Sequence, residues 1–188
     1  MASDTRQRIV EVALQRFYRD GFRMVGLDQI LDDVGISKTA FYKHFRSKDE
    51  LMLAVLEHQN RWLEAAFRDM LRERGGRSAR DQLAAIFDVV GEIIERAEFQ
   101  GCIFINAAME FPLAHDPAHR AAAANKAAIE RILFETAERA GAADPAALAR
   151  ELCLIIDGTY VGVQVTGDPA TVDTARRLGR LVIERHLT

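Results

Sequence analysis

Between Val34 and Lys48 the chain carries four cations, Lys38, Lys43, Arg46 and Lys48, and no acidic residue, although the protein as a whole has a net charge of −3. A cationic window on a mildly acidic chain is the footprint of a surface that meets phosphate. Thr39 and Tyr42 lie inside this window. Lysine and tyrosine can bind phosphate oxygens, whereas lysine and threonine can reach guanine acceptors or a thymine methyl group. Lys48 stands where a helix is expected to begin, beside exposed backbone N–H groups that favour phosphate. Enzyme chemistry finds no comparable constellation. The chain has no Gly-x-Gly-x-x-Gly, no Gly-Lys-Ser phosphate loop, no Gly-x-Ser-x-Gly elbow and no His-Glu-x-x-His, so neither a catalytic residue nor a cofactor is expected. His115 and His119 flank Asp116, but Pro117 sets them on different local backbone, and no metal site is expected.

Helices must position these groups. Apolar residues recur at spacings of three and four almost from end to end, and no segment reads as a strand, so the fold is expected to be all-α. Ile9, Ala13 and Phe17 mark a first helix ending near Asp20-Gly21. Leu27, Ile30, Leu31 and Val34 give the stripe of a short second helix, which Gly35 stops. Ser37 caps a third through about Phe45, and Ser47 with Glu50 opens a long fourth toward Arg72. Two short helices around a glycine turn form a helix-turn-helix, whose second member enters the DNA major groove. At about 100° per residue, Phe41 and Phe45 fall on the core side of that member while Thr39, Tyr42 and Lys43 face outward and Lys38 borders them. Periodicity alone suits equally an ordinary solvated surface with Tyr42 as a partly buried core ring. Arg72 to Arg77 reads as a loop. Helices are then expected from Ser78 to about Phe99, over Gly101 to Phe111, and from three proline-led starts at Pro117, Pro145 and Pro169 to about Ala140, Thr166 and His186.

A length of 188 residues, 49% of them apolar and 28% charged, fits one globular domain or a small one joined to a larger one, and excludes fibrous or disordered classes. Two cysteines, Cys102 and Cys153, are too few for a disulfide framework and are expected to be reduced. The most apolar segment, Leu152 to Val165, is interrupted by Asp157. No export signal or membrane span is implied, and a cytoplasmic protein is expected.

The literal residues narrow the reading further. Gly35-Ile36-Ser37-Lys38-Thr39-Ala40-Phe41-Tyr42-Lys43-His44-Phe45-Arg46-Ser47-Lys48-Asp49-Glu50-Leu51 closely resembles the DNA-binding signature of the TetR family of bacterial transcriptional regulators, with Ala13, Phe17, Gly21, Phe22 and Ile30 also in place. The resemblance is tight over roughly residues 6 to 52. It implies a helix-turn-helix domain over residues 1–47 and a helical effector-binding and dimerisation domain over 48–188. It also implies a homodimer that binds a palindromic operator in double-stranded DNA, most simply as a repressor, and is released by a small, largely apolar effector. Thr39, Ala40 and Lys43 would then face bases, and Lys38, Tyr42, His44 and Lys48 would contact phosphates or orient the helix that Ser37 caps. Val25 and Gly26 stand where family members often carry a capping hydroxyl. Asp32 and Asp33 are expected to point away from the duplex.

The C-terminal segment supplies two further expectations. Leu148, Leu152, Ile155, Thr159 and Gly162 follow a helical seam, as do Val172, Ala175, Gly179 and Val182. Such stripes can pack inside one subunit, but the palindrome-reading dimer that the resemblance implies assigns them to a subunit interface. Gly101 to Phe111 is dense in apolar residues with a few polar ones, which suits either a pocket wall or ordinary core. The candidate pocket comprises Phe67, Phe87, Met109 and Phe134 as lining and Asn106, Glu110 and Tyr160 as polar groups. Cys102 joins it as a buried inert thiol or a sensor of oxidants or electrophiles.

Overall fold

The computed structural model describes residues 2–96 and 98–187. Within them the chain forms helices α1 (Ala2–Asp20), α2 (Leu27–Val34), α3 (Lys38–Phe41), α4 (Lys48–Gly75), α5 (Ala79–Ala84), α6 (Ile86–Ile94), α7 (Ile103–Glu110), α8 (Pro117–Ala140), α9 (Pro145–Thr166) and α10 (Ala170–His186), and no strand. Three boundaries differ from the sequence expectation by more than one residue. Helix α3 is a single turn that relaxes into a turn after Phe41. Helix α4 runs through the charged stretch to Gly75, because Arg72 pairs along the helix with Asp69 and a charged helix face needs no burial. The helix expected from Ser78 to Phe99 breaks at Ala85 and ends at Ile94. Two of the proline-led starts are built as expected and the third begins one residue later, at Ala170; the Asp116, Asp144 and Asp168 carboxylates accept from the N–H of Ala118, Ala147 and Ala170 at 2.8, 2.9 and 2.9 Å.

The chain divides into two compact units, one of residues 1–61 with 103–124 and the other of 62–102 with 125–188. Helix α4 contributes to both, and α7 joins the unit that holds the helix-turn-helix, where the sequence reading divides the chain at residue 47. In the first unit α2 packs against α1 and α3, and Ile9, Ala13 and Phe17 of α1, Ile30, Leu31 and Val34 of α2, Phe41 of α3 and Leu51 and Val55 of α4 are all buried. Burying each such side chain contributes roughly 1.5–3 kcal/mol, which offsets the cost of ordering helices as short as α2 and α3. In the second unit α10 packs on α9, α6 and α5 around Leu83, Ile86, Phe87, Val90, Leu133, Leu148 and Leu152.

That packing covers much of the C-terminal stripes within one subunit. Leu148, Leu152, Thr159, Val172, Ala175 and Gly179 are buried inside the second unit, and Ile155, Gly162 and Val182 are half-buried there. A Cβ on Gly179 would overlap the Phe87 ring, and one on Gly162 would fall 2.9 Å from Thr171 Cγ2. The glycines therefore serve close approach within the subunit. A periodic stripe reports that a helix face is covered, without reporting which chain covers it. The apolar side chains that α9 and α10 leave exposed are Leu154, Val161, Val165, Leu178 and Leu181. Among the described residues no helix is long and apolar enough to cross a membrane.

Candidate nucleic-acid interface

The turn between α2 and α3 fixes how the cationic window is displayed. Gly35 takes φ 73°, a left-handed conformation open to glycine, and donates its N–H to Leu31 O at 2.9 Å while Ile36 donates to the same carbonyl at 3.1 Å. The chain thereby reverses within two residues, and Ser37 Oγ accepts from Ala40 N at 3.2 Å to start α3. Phe41 and Phe45 are 0% and 1% exposed, with ring centroids 5.6 Å apart, so they anchor the underside of α3. Arg6 of α1 lies over the Phe45 ring at 4.8 Å. The opposite side is open. Ser37, Lys38, Thr39, Tyr42 and Lys43 are exposed, Ala40 and His44 are half-buried, and Tyr42 is 56% exposed with its ring edge on Phe41. The structure thus brings seven of the eight expected DNA-facing residues together along α3 and its following turn.

The eighth, Lys48, is held differently. Its Nζ lies 3.5 Å from Arg23 O and 5.9 Å from the Phe17 ring centroid, and burial pushes its pKa below the ordinary lysine value. Lys38 instead pairs with Asp28 of α2 at 2.9 Å, and the hydrogen bond and charge of that carboxylate raise its pKa. Asp33 is drawn to Arg16 of α1, with Arg16 Nη2 donating to its Oδ1 at 2.8 Å, and that bond holds its carboxyl below the usual aspartate range. Val25 is buried, and Gly26 donates its N–H to Gln29 Oε1 at 2.7 Å, so no hydroxyl caps α2.

The second unit contains a cavity of about 300 Å³, whose wall includes three of the eight expected pocket residues. Phe67, Cys102 and Tyr160 line it. Phe87 instead packs in the core against Gly179, and Phe134 lies at the surface. Asn106, Met109 and Glu110 belong to α7 of the first unit, where Met109 is 77% exposed. Glu110 is a brace: its Oε1 accepts from Phe22 N at 2.9 Å and its Oε2 from Arg23 N at 2.8 Å. The sequence reading missed the charged groups of the cavity, Lys126, Asp157, Glu130 and Arg150, and its second thiol, Cys153. A signal existed for two of them. Lys126 is the sole charge between Ala121 and Ile129, and Asp157 the sole charge between Leu152 and Val165. Lone opposite charges in two apolar stretches are candidates for pairing, since an unpaired buried charge is costly. Away from the cavity, His119 Nδ1 lies 3.0 Å from Phe111 O.

Known proteins share both halves of this organisation. Residues 9–55 match the model of the bacterial regulatory proteins of the tetR family, and residues 79–178 match the tetracyclin repressor-like C-terminal domain. The HTH-type transcriptional regulator YjdC of Escherichia coli (strain K12) is 22% identical over 178 residues, covering 95% of this chain and 93% of that protein. A TetR-family regulator from Streptomyces coelicolor superposes with a TM-score of 0.87 at 28% identity, over 99% of this chain and 97% of the other. A tetR-type regulator from Streptomyces avermitilis does so with a TM-score of 0.78 at 33% identity, over 95% and 97%. With a glycine turn that presents α3 outward and both family domains matched along its length, the chain belongs to the TetR family of bacterial transcriptional regulators and is not an enzyme.

Proposed function

We propose that the protein is a ligand-responsive repressor of the cytoplasm that binds a palindromic DNA operator as a homodimer and is released by a small-molecule effector. The observation that carries the reading is the exposed array of Thr39, Tyr42 and Lys43 over the buried Phe41 and Phe45. Lys43 and Thr39 read base edges with Ala40, while Tyr42, Lys38, His44 and Lys48 hold the backbone. The exposed Leu154, Val161 and Val165 of α9 and Leu178 and Leu181 of α10 form the dimer face. Two reading helices centred about 34 Å apart then meet successive major grooves, and an effector acts by favouring a dimer without that spacing. A dimer seated on a promoter excludes other proteins from the same DNA, which is repression in its simplest physical form. Gel-shift binding to DNA flanking its own gene tests the reading. Affinity should fall by roughly 10³ to 10⁵ between about 50 and 200 mM salt for six to ten phosphate contacts. A flat salt response, or no binding to an unbiased pool of DNA fragments, would overturn it.

A further inference from the structure

The cavity in the second unit holds two thiols in different settings. Cys102 Sγ lies 3.7 Å from the Lys126 ammonium, which also bonds Asp157 Oδ1 at 2.5 Å. Cys102 is half-buried, and it shares the cavity with apolar side chains of Leu63, Phe67, Ile93 and Ile129. Cys153 lines the same cavity, but burial, followed by the charges of Asp157 and Glu130, pushes its thiol up to about 12. One sulfur therefore faces a cation, and the other is held as an unreactive thiol at neutral pH. The cavity charges come in opposite pairs, Lys126 with Asp157 and Arg150 with Glu130, so the site selects a neutral ligand with an apolar body rather than a strongly charged one.

We infer that this cavity captures a neutral α,β-unsaturated carbonyl compound covalently on Cys102, with Lys126 holding the carbonyl oxygen. Cys102 Sγ attacks the β-carbon and forms the new carbon–sulfur bond. The carbon–carbon π pair shifts so that negative charge builds on the carbonyl oxygen as an enolate, which the Lys126 ammonium stabilises. The proton given up by the thiol ends on the α-carbon, so the product is a saturated thioether that retains every atom of both reactants. Asp157 is a positioning residue, since its bond fixes the Lys126 ammonium beside the sulfur. No oxidant or reductant takes part. The inference deepens the proposed function by naming a chemical class for its effector, and it rests on that reading only where DNA release is concerned.

Cinnamaldehyde, an enal with an apolar ring, is a suitable probe for the full-length protein. Intact-mass and peptide-mapping spectrometry at neutral pH should show one adduct on Cys102, formed much faster than any on Cys153. The contrast between the two thiols is read in the wild-type protein and needs no variant. Cys102→Ser should abolish the fast adduct, and Lys126→Gln should slow it on the order of 10²-fold. Equal modification of both cysteines, preferential modification of Cys153, or an unchanged rate in a folded Lys126→Gln protein would overturn the inference. Binding of the unmodified protein to DNA is measured separately and judges the regulator reading alone. Loss of DNA affinity on adduct formation, absent in Cys102→Ser, completes the assignment, whereas an adduct that leaves affinity unchanged would overturn the role of this site as the effector site.

Discussion

Glu110→Ala should loosen the loop between α1 and α2, and the size of the effect follows from two bonds. The carboxylate accepts from the backbone N–H of Phe22 at 2.9 Å and of Arg23 at 2.8 Å. These amides follow Gly21, whose φ of 86° ends α1, and a Cβ at Gly21 would itself lie 3.2 Å from Glu110 Oε1. Hydrogen bonds to a charged group are worth roughly 1.5–3 kcal/mol each. The Arg23 bond is exposed to water, so it counts for less, and the pair together should contribute about 2–3 kcal/mol to holding the loop. Native-state hydrogen exchange at the Phe22 and Arg23 amides reads that quantity directly. In Glu110→Ala both amides should exchange at least about thirtyfold faster. Glu110→Gln, which keeps one acceptor oxygen, should show an intermediate effect. If the two amides keep their wild-type protection in Glu110→Ala while the protein remains folded, the brace does not exist and the reasoning fails.

Other expectations are simpler to state. Gly179→Ala drives a methyl group into Phe87 and should lower stability by about 1–3 kcal/mol, seen as a reduced melting temperature, with no loss expected if Phe87 had room to retreat. Tyr42→Ala should weaken binding about equally on all DNA sequences, whereas Lys43→Ala should relax preference at particular bases; a selection of bound fragments from a random pool separates the two. Leu181→Glu places a charge on the proposed dimer face and should shift sedimentation at micromolar concentration toward a 21.0 kDa monomer, whereas an unchanged dimer would place the interface elsewhere. Asp33 and Glu135 are held below the ordinary carboxylate range by Arg16 and Arg68. Their stabilising contribution is complete above the unfolded carboxylate range and disappears as pH falls through the lowered folded values. The urea midpoint should therefore fall on acidification below about pH 4, and Arg16→Met should flatten that fall.

The outward array on α3 was legible because the wheel position of a residue and its burial are the same fact when a helix has one covered side. Phe41 and Phe45 point in for the reason that Thr39 and Lys43 point out. The C-terminal half was less legible. The seam through Leu148, Leu152 and Thr159 was visible as covered surface, but a period along α9 does not say that α10 and α6 of the same subunit do the covering. Glu110 reads as a pocket acid in a run of apolar neighbours, and only tertiary structure reveals that its partners are main-chain N–H groups 87 and 88 residues earlier. The cavity escaped the sequence for a related reason. Its wall joins one face of α8, through Lys126, Ile129 and Glu130, to one face of α9, through Arg150, Cys153 and Asp157; each face has a helical period, but no period says that the two meet around a space.

The ion pair between Asp28 and Lys38 has a bearing on how the protein would meet DNA. A lysine on an open surface gathers dissolved anions, and those are set free when a phosphate replaces them. Lys38 arrives with a counterion already built into the chain, at 2.9 Å. Were Lys38 to trade Asp28 for a phosphate, no dissolved anion would leave the protein and the Asp28 carboxylate would lose its partner. On the proposed reading, non-specific association would gain little from such an exchange, and the lysine would be committed only where the neighbouring contacts of α3 already fit.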